Sequence, residues 1–231
     1  MHKKNHPLTP SFFKRGNSET WLLLSPWLLT LALFWAWPLV YALYLSFTKY
    51  YTLTNRTTWV GFDNYIKLAH DPAFWQAALN TLVFVIGTIP FTMIFALFFA
   101  TLLTRVERFQ HVYRSALFLP SVTSLVVIAL IYTNLYASGG YVDTLLKLAH
   151  FAYPTRGWLL TPGLALPAIM VMDIWISIGY YAVLFLAAMQ NVPKDFYEVA
   201  ELEGTSKWKQ FYQITLPVIK PTLLFALVLN T

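Results

Sequence analysis

Long uncharged, apolar segments alternate with short charged ones along the chain. No charged residue occurs at positions 20–48, 72–104 or 115–142, and Asp173 is the single charge at positions 157–193. Each segment is long enough for a helix that crosses the hydrocarbon core of a bilayer, which takes about 20 residues. The pattern therefore predicts four transmembrane helices, near residues 21–47, 76–103, 116–137 and 164–190.

The composition agrees with a membrane protein and excludes several other classes. Of the 231 residues, 58% are hydrophobic and 11% are charged, whereas soluble domains carry about 25% charged residues. So few charges cannot cover a water-facing surface, and the high hydrophobicity argues against disorder. The chain has no Cys, and its 5 His residues show no ligand spacing, so neither a disulfide nor a metal site is expected.

A fifth apolar segment begins at Pro221 and reaches the last residue, Thr231. Eleven helical residues rise only about 16 Å, roughly half of a hydrocarbon core. A helix that stopped there would leave carbonyl groups unpaired in lipid. We therefore interpret residues 221–231 as a partial span, and the chain as one truncated in its fifth transmembrane helix.

The basic residues are distributed unevenly between the two sides of the predicted spans. Eleven of the 16 Lys and Arg residues lie in the tail 1–19, in the loop before the third span or in the loop 191–220. Loops rich in Lys and Arg stay in the cytoplasm. The distribution predicts a multi-pass protein of the cell (inner or plasma) membrane with a cytoplasmic N-terminus. Because the basic residues are dispersed and accompany no motif, they argue against nucleic-acid binding.

The loop 191–220 is long for a simple connection, and its pattern predicts two short amphipathic helices. Pro193 fits the first turn of the first helix, and Gly204 fits the position just after its end. The residues at helical spacing on one face of this helix are Phe196, Val199, Ala200 and Glu203. The prediction is a helix that ends in a glycine bend.

The second predicted helix begins after the bend. Thr205 or Ser206 can cap it, and Pro217 is expected to end it. Its apolar face consists of Trp208, Phe211 and Tyr212. The apolar faces of both helices need a cover, and two explanations stay open: the lipid interface or the chain's own loops, and a cytoplasmic partner that docks on them.

Two motifs in this loop resemble a known family. Residues 198–204 read Glu-Val-Ala-Glu-Leu-Glu-Gly, and after nine intervening residues, residues 214–217 read Ile-Thr-Leu-Pro. Together they resemble the cytoplasmic "EAA" loop of binding-protein-dependent ABC transporter permeases, and more narrowly the maltose-type carbohydrate-uptake group. The segments that resemble other parts of these permeases, in the same order, are 61–65, 71–75, 80–81, 114–120 and 219–222.

The resemblance implies a type I ABC importer permease fold, with residues 20–231 forming a single transmembrane domain. It also implies three partners: a second permease subunit, which in this group is generally a different chain, a cytoplasmic ATP-binding subunit dimer and an extracytoplasmic solute-binding protein. ATP and Mg would bind to the ATPase, because this chain has no phosphate-binding glycine loop. Residues 194–217 would couple the permease to the ATPase, and the expected coupling residues are Glu198, Ala200, Glu203, Gly204, Leu216 and Pro217.

Polar residues inside the spans are candidates for the translocation pathway. Asp173 lies within the fourth span, with Ser177 and Tyr180 on its helical face. Intramembrane carboxyl groups usually face a cavity or a partner, although a structural hydrogen bond to a neighbouring helix explains Asp173 equally simply. Asn80 in the second span is a further candidate.

The resemblance favours the import of sugars or oligosaccharides. In such an importer, this chain would form half of the translocation pathway. The alternatives are import of glycerol phosphate or another polar solute by the same class of transporter and, from a different class, a membrane-embedded enzyme that uses Asp173. No second intramembrane acid, base or nucleophile is placed to act with Asp173, so no catalytic residue is expected in this chain.

Overall fold

The computed structural model describes residues 16–51, 56–106 and 108–231, with side chains from residue 20 onward. Most of the predicted tail 1–19, with its basic residues Lys3, Lys4, Lys14 and Arg15, lies outside the described residues. The chain consists of two compact units, Met1–Trp75 and Gln76–Thr231. Each unit is described by itself below.

The first unit contains one long apolar helix. It consists of α1 (Gly16–Leu31), a π-helical turn (Ala32–Ala36) and α2 (Trp37–Ser46). Within it, Thr20–Ser46 is apolar and long enough to cross a membrane, in agreement with the predicted span 21–47. The N–H of Trp37 donates to the carbonyl of Ala32, so the helix widens immediately before Pro38. A proline ring clashes with the carbonyl four residues earlier in a regular helix, and the wide turn lets the helix continue past it.

A small hairpin follows this helix and was not predicted. Strands β1 (Thr48–Tyr51) and β2 (Arg56–Trp59) are antiparallel, with Thr48 opposite Trp59. Helix α3 (Asp63–Ala69) comes next, and Asn64 Nδ2 donates to the carbonyls of Ser46 and Thr48, both at 2.9 Å. The amide of Asn64 thus fixes the turn from helix to hairpin, and the architecture stays all-α apart from these two short strands.

The second and fourth spans agree with their predictions. Helix α4 (Pro72–Thr104) begins four residues before the expected start at 76. Asp71 explains the difference, because its carboxylate accepts the N–H of Ala73 at 2.9 Å and so satisfies a free donor of the first turn. Helix α8 (Ala165–Gln190) matches the predicted span 164–190.

The third span is not the single helix predicted for 116–137. Two helices, α5 (Gln110–Val122) and α6 (Leu125–Leu135), meet at 91°. The break falls at Thr123 and Ser124, whose backbones are extended, with ψ of 143° and 129°. Pro120 and the polar run Ser-Val-Thr-Ser that follows it offer local hydrogen bonds that compete with the helix; Thr123 Oγ1, for example, donates to the carbonyl of Leu119.

The bent pair contacts α8 at two places. Leu117 of α5 lies against Gly179 of α8, and the hydroxyl of Tyr136, just after α6, donates to the carbonyl of Ala168 at 3.1 Å. Gly179 and Ala168 are about 16 Å apart along a helix axis. The start of the bent pair therefore lies beside Gly179 and its end beside Ala168, on opposite sides of the 91° bend.

The predicted boundary between the second loop helix and the fifth span is wrong. Pro217 does not end a helix: α10 (Lys207–Gln210), a π-helical turn (Phe211–Thr215) and α11 (Leu216–Leu229) form one continuous helix. The N–H of Leu216 donates to the carbonyl of Phe211, a wide turn directly before the proline, as at Pro38. The candidate span is Lys207–Leu229, so it begins well before the expected Pro221.

The core of the second unit consists mainly of buried side chains from α4, α8 and α11. Its most buried members, none more than 1% exposed, are Ala96, Ala100, Ala182, Phe185, Leu186, Ile219 and Ala226. At one end of this unit lie the end of α4, the start of α5, the end of α8 and the loop 191–220; we call it the basic end.

A folded loop covers the opposite end of the second unit. It contains α7 (Tyr141–Leu148), whose Asp143 is 2% exposed. The Asp143 carboxylate accepts hydrogen bonds from the N–H of Gly139 at 2.8 Å and from Nε1 of Trp158 at 2.9 Å. A buried carboxylate with two donors is satisfied, so Asp143 holds this loop together.

Candidate functional site

The first helix of the loop 191–220 ends as the sequence predicts. Helix α9 (Lys194–Leu202) is followed by Gly204 with φ of +69°. The N–H of Gly204 donates to the carbonyl of Glu201 at 3.0 Å, and that of Thr205 donates to the carbonyl of Ala200 at 2.9 Å. This pair of bonds is the Schellman motif. At the other end, Pro193 is the residue before the first turn instead of part of it.

The bend is also fixed from its far side. Ser206 caps the second helix, its hydroxyl accepting the N–H of Lys209 at 3.4 Å; of the two predicted caps, Ser206 is the one used. Gln210 is 3% exposed, and its amide donates to the carbonyl of Thr205 at 3.1 Å. Because both arms of the bend make these bonds, α9 and α10 keep a defined angle.

A hydrogen bond between side chains ties α9 to the fifth span. The hydroxyls of Tyr197 and Thr215 are 2.7 Å apart, and Thr215 is 6% exposed. On the exposed surface, Lys207 forms an ion pair with Glu201; such pairs contribute little. The buried contact matters more, because it joins α9 to the continuous helix that runs from Lys207 to Leu229.

The arms of the bend enclose a groove of about 410 Å³. Its lining residues are Phe196, Val199, Ala200, Glu203, Thr205, Gln210, Gln213, Ile214, Pro217 and Val218. The four residues predicted to share one face of α9 all line it. Of the expected coupling residues, Ala200, Glu203 and Pro217 line the groove and Gly204 forms the bend, whereas Glu198 and Leu216 do not line it.

Several apolar side chains of this loop are exposed. Leu202 is 89% exposed and Trp208 is 72% exposed. Trp208 stacks on Tyr212 with ring centroids 6.1 Å apart, and Phe211 meets both rings edge-on, so the predicted apolar face exists. Within the second unit, the described residues therefore leave the side chains of Leu202 and Trp208 largely exposed.

The pathway candidates of α8 share a face but do not contact Asn80. Asp173 and Ser177 are half-buried, and Tyr180 is 44% exposed. Among the described residues, none forms a hydrogen bond or ion pair with the Asp173 carboxylate. Asn80 is exposed on α4, and its oxygen accepts from Gln76 Nε2 at 3.0 Å.

Two residues that position this part of α8 were not predicted. A Cβ added to Gly179 would lie 1.8 Å from the carbonyl oxygen of Leu117, so the backbones of α5 and α8 touch there. One turn away, Ser121 Oγ donates to the carbonyl of Ile176 at 2.6 Å and accepts the N–H of Tyr180 at 3.1 Å. In the sequence, the only signal is a glycine inside an apolar span.

The comparisons with known proteins agree with this geometry. A family described as binding-protein-dependent transport system inner membrane component matches residues 68–231. The chain is 32% identical over 213 residues to the lactose transport system permease protein LacF of Rhizobium radiobacter, a match that covers 91% of this chain and 70% of the relative. It is 29% identical over 225 residues to the arabinooligosaccharides transport system permease protein AraP of Bacillus subtilis, covering 94% and 69%.

Two solved structures share the fold. One is a bacterial ABC transporter involved in the import of the acidic polysaccharide alginate, with a TM-score of 0.79, 24% identity, and coverage of 92% of this chain and 72% of that chain. The other is the bacterial alginate ABC transporter in complex with an alginate pentasaccharide-bound periplasmic protein, with a TM-score of 0.78, 25% identity, and coverage of 92% and 70%.

Proposed function

The chain belongs to the family of binding-protein-dependent transport system inner membrane components, and we propose from this premise that it is the permease subunit of an ATP-driven importer of sugars or oligosaccharides. It is a multi-pass protein of the inner membrane with the fold of a type I ABC importer permease. The names of its relatives support the solute class: LacF is named for lactose and AraP for arabinooligosaccharides. They favour a carbohydrate over glycerol phosphate.

The partners follow from the same proposal. A periplasmic protein accompanies the alginate transporter, which supports delivery of the solute by a binding protein. A second permease subunit would complete the pathway. ATP and Mg would bind to a cytoplasmic ATPase dimer and not to this chain. In this arrangement the N-terminus and the basic end face the cytoplasm, where eleven of the 16 Lys and Arg residues would lie.

The loop 191–220 is the proposed contact with the ATPase, and one observation carries this proposal. Helix α9 is bonded to the start of a helix that continues without a break from Lys207 to Leu229, through the Tyr197–Thr215 hydrogen bond. A force on α9 would therefore move the fifth span with it, instead of bending a flexible connection. The groove beside Ala200 and Glu203 would receive an apolar side chain of the ATPase, and Gly204 would preserve the bend.

Glu198 is the position at which a charge change tests this contact. Its side chain is exposed and forms no ion pair with another described residue. We expect Glu198→Lys to lower the stimulation of ATP hydrolysis by solute-loaded binding protein at least about tenfold, because a misplaced charge at an interface costs several kcal/mol. The amount of protein in the membrane should stay unchanged.

The measurement is ATP hydrolysis by the complex reconstituted in liposomes, with and without loaded binding protein. Glu198→Gln is the matched control, since it removes the charge but keeps the shape, and a smaller loss is expected. Unchanged stimulation in Glu198→Lys would show that Glu198 does not face the ATPase.

Asp173, Ser177 and Tyr180 are proposed to line the translocation pathway, with Asn80 as a further candidate. The support is the free carboxylate of Asp173, which no described residue satisfies. The hydroxyl groups of a sugar can donate hydrogen bonds to such a carboxylate. The same carboxylate does not support an enzyme, because no nucleophile or base among the described residues lies within hydrogen-bonding distance of it.

We expect Asp173→Leu to assemble normally and to lower the rate of solute uptake at low concentration roughly tenfold, the usual cost of a lost hydrogen bond to a charged group. This rate is measured as the uptake of labelled solute by proteoliposomes. Asp173→Asn is the control, because its side chain keeps a hydrogen-bond acceptor. Wild-type uptake by Asp173→Leu would contradict a role in the pathway.

A further inference from the structure

A second groove, of about 660 Å³, lies at the basic end between the end of α4 and the start of α5. Its walls are apolar: Phe99, Leu102, Leu103, Val106, Tyr113, Ala116 and Leu117. Its remaining lining residues are Arg105 and Arg108. The groove thus combines a long apolar wall with two positive charges, and it is separate from the groove beside α9.

Both arginine side chains are exposed where they line this groove. Arg105 and Arg108 are exposed, and neither forms an ion pair or a hydrogen bond through its side chain with another described residue. No acidic residue is among the described residues that line the groove; Glu107 lies outside the described residues. An anion that contacts both guanidinium groups would form charge-assisted hydrogen bonds with them.

The groove opens at the edge of the apolar surface of the protein. The uncharged run of α4 ends at Thr104, and the exposed apolar side chains around the groove are Phe98, Leu102, Phe109 and Val112. Phe109 has φ of +61°, which costs a non-glycine residue about 1–2 kcal/mol, and its ring is 74% exposed. The Phe109 ring thus adds to the exposed apolar surface beside the groove.

A hydrogen bond joins the two helices that form the groove. Gln110 Nε2 donates to the carbonyl of Leu103 at 2.7 Å, which ties the first turn of α5 to the last turn of α4. Arg105 and Arg108 are each two residues away in sequence from one of the residues that this bond joins. They lie at one end of the apolar wall, where the uncharged run of α4 ends.

We propose that this groove binds one acidic phospholipid of the leaflet at the basic end, with an acyl chain along the apolar wall and the phosphate between Arg105 and Arg108. A soluble phosphate would leave the apolar wall uncovered, and a neutral lipid would leave the arginines unpaired. Basic pockets between spans at the membrane edge bind anionic headgroups for the same reason. The phosphate is placed by the positive charges of Arg105 and Arg108. The proposal therefore does not depend on which solute the permease carries.

The test is binding of dioleoylphosphatidylglycerol to the assembled transporter, with dioleoylphosphatidylcholine as the competing lipid, measured by native mass spectrometry after mild solubilisation. Replacing both arginines (Arg105→Gln with Arg108→Gln) is expected to lower phosphatidylglycerol occupancy about fivefold per arginine removed. Arg114→Gln is the matched control: it removes an arginine from the same region that does not line the groove, and occupancy should stay at the wild-type value.

A second variant tests the apolar wall separately. Ala116→Trp fills the groove with both arginines intact and is expected to displace the lipid. Unchanged occupancy in the double arginine variant, an equal loss in Arg114→Gln, or displacement of the lipid by inorganic phosphate would each overturn the proposal. So would a photoreactive residue in place of Tyr113 that cross-links to another polypeptide of the complex instead of to lipid.

Discussion

Replacing Gly179 by valine is expected to prevent the second unit from folding, so that little or no protein is recovered from the membrane in a monodisperse state. The new Cβ would lie 1.8 Å from the carbonyl oxygen of Leu117, 2.7 Å from its carbonyl carbon and 3.1 Å from the Cα of Phe118. All three are backbone atoms of α5, and they cannot move aside as a side chain can. Overpacking against side chains already costs about 1–3 kcal/mol, and a clash between backbones costs more.

The hydrogen bonds of Ser121 add to this effect. Its hydroxyl bridges the carbonyl of Ile176 and the N–H of Tyr180, and it reaches them only because Gly179 lets α5 approach. Pushing α5 away would break both bonds and leave the Ser121 hydroxyl without these two partners inside a span, where water does not replace them.

Gly87 provides the matched control. A Cβ added there would lie 1.8 Å from Cε of Met170, an equally short distance, but to the end of a flexible side chain. Gly87→Ala should therefore be recovered at close to the wild-type level, because Met170 can adopt another rotamer. The measurement for both variants is size-exclusion chromatography of the solubilised protein and its thermal stability. Wild-type behaviour of Gly179→Val would mean that α5 and α8 are not in contact there.

Replacing Gly204 by valine is expected to leave the protein in the membrane but to separate it from the ATPase. Nothing lies within 4 Å of a Cβ at this position, so no clash is involved. The effect comes from φ of +69°, which a β-branched residue adopts only at a substantial cost. Leaving this conformation would break the bonds from Gly204 to Glu201 and from Thr205 to Ala200, and the groove beside α9 would lose its shape.

Gly204→Asn separates the backbone effect from the loss of glycine itself. Asparagine tolerates positive φ better than other non-glycine residues, so this variant should keep most of the coupling. We expect the amount of ATPase that co-purifies to decrease from wild type to Gly204→Asn and further to Gly204→Val. The loss for Gly204→Val should be at least fivefold, which corresponds to about 1 kcal/mol.

Two prolines show what the sequence predicts about the spans and what it does not. Pro120 and Pro217 both interrupt a helical pattern, and a break was expected only at Pro217. The structure shows the opposite. The helix continues past Pro217 through a π-helical turn, whereas the chain after Pro120 turns by 91° at Thr123 and Ser124. Whether a helix breaks or continues at a proline depends on the neighbouring helices. Here α8 contacts the bent span through residues that are far from it in the sequence, so the local pattern does not predict the bend.

The bend at Gly204 was predictable, because the bonds that form it join residues at most five positions apart. The motif at 198–204 also identified the family, which the match over residues 68–231 confirms. In contrast, the contact of Gly179 with Leu117 joins residues 62 positions apart, and the Tyr197–Thr215 bond joins two separate helices. The same holds for the groove at Arg105 and Arg108, which exists only once α4 and α5 are packed.

Coupling through the loop 191–220 is tested most directly by ATP hydrolysis of the reconstituted complex with solute-loaded binding protein, compared between Gly204→Val and Gly204→Asn. If this loop transmits the movement of the ATPase to the fifth span, stimulation is lost in the valine variant and largely kept in the asparagine variant, at equal amounts of permease in the liposomes. Full stimulation in both variants would contradict it, because the permease would then couple to its ATPase without the bend at Gly204.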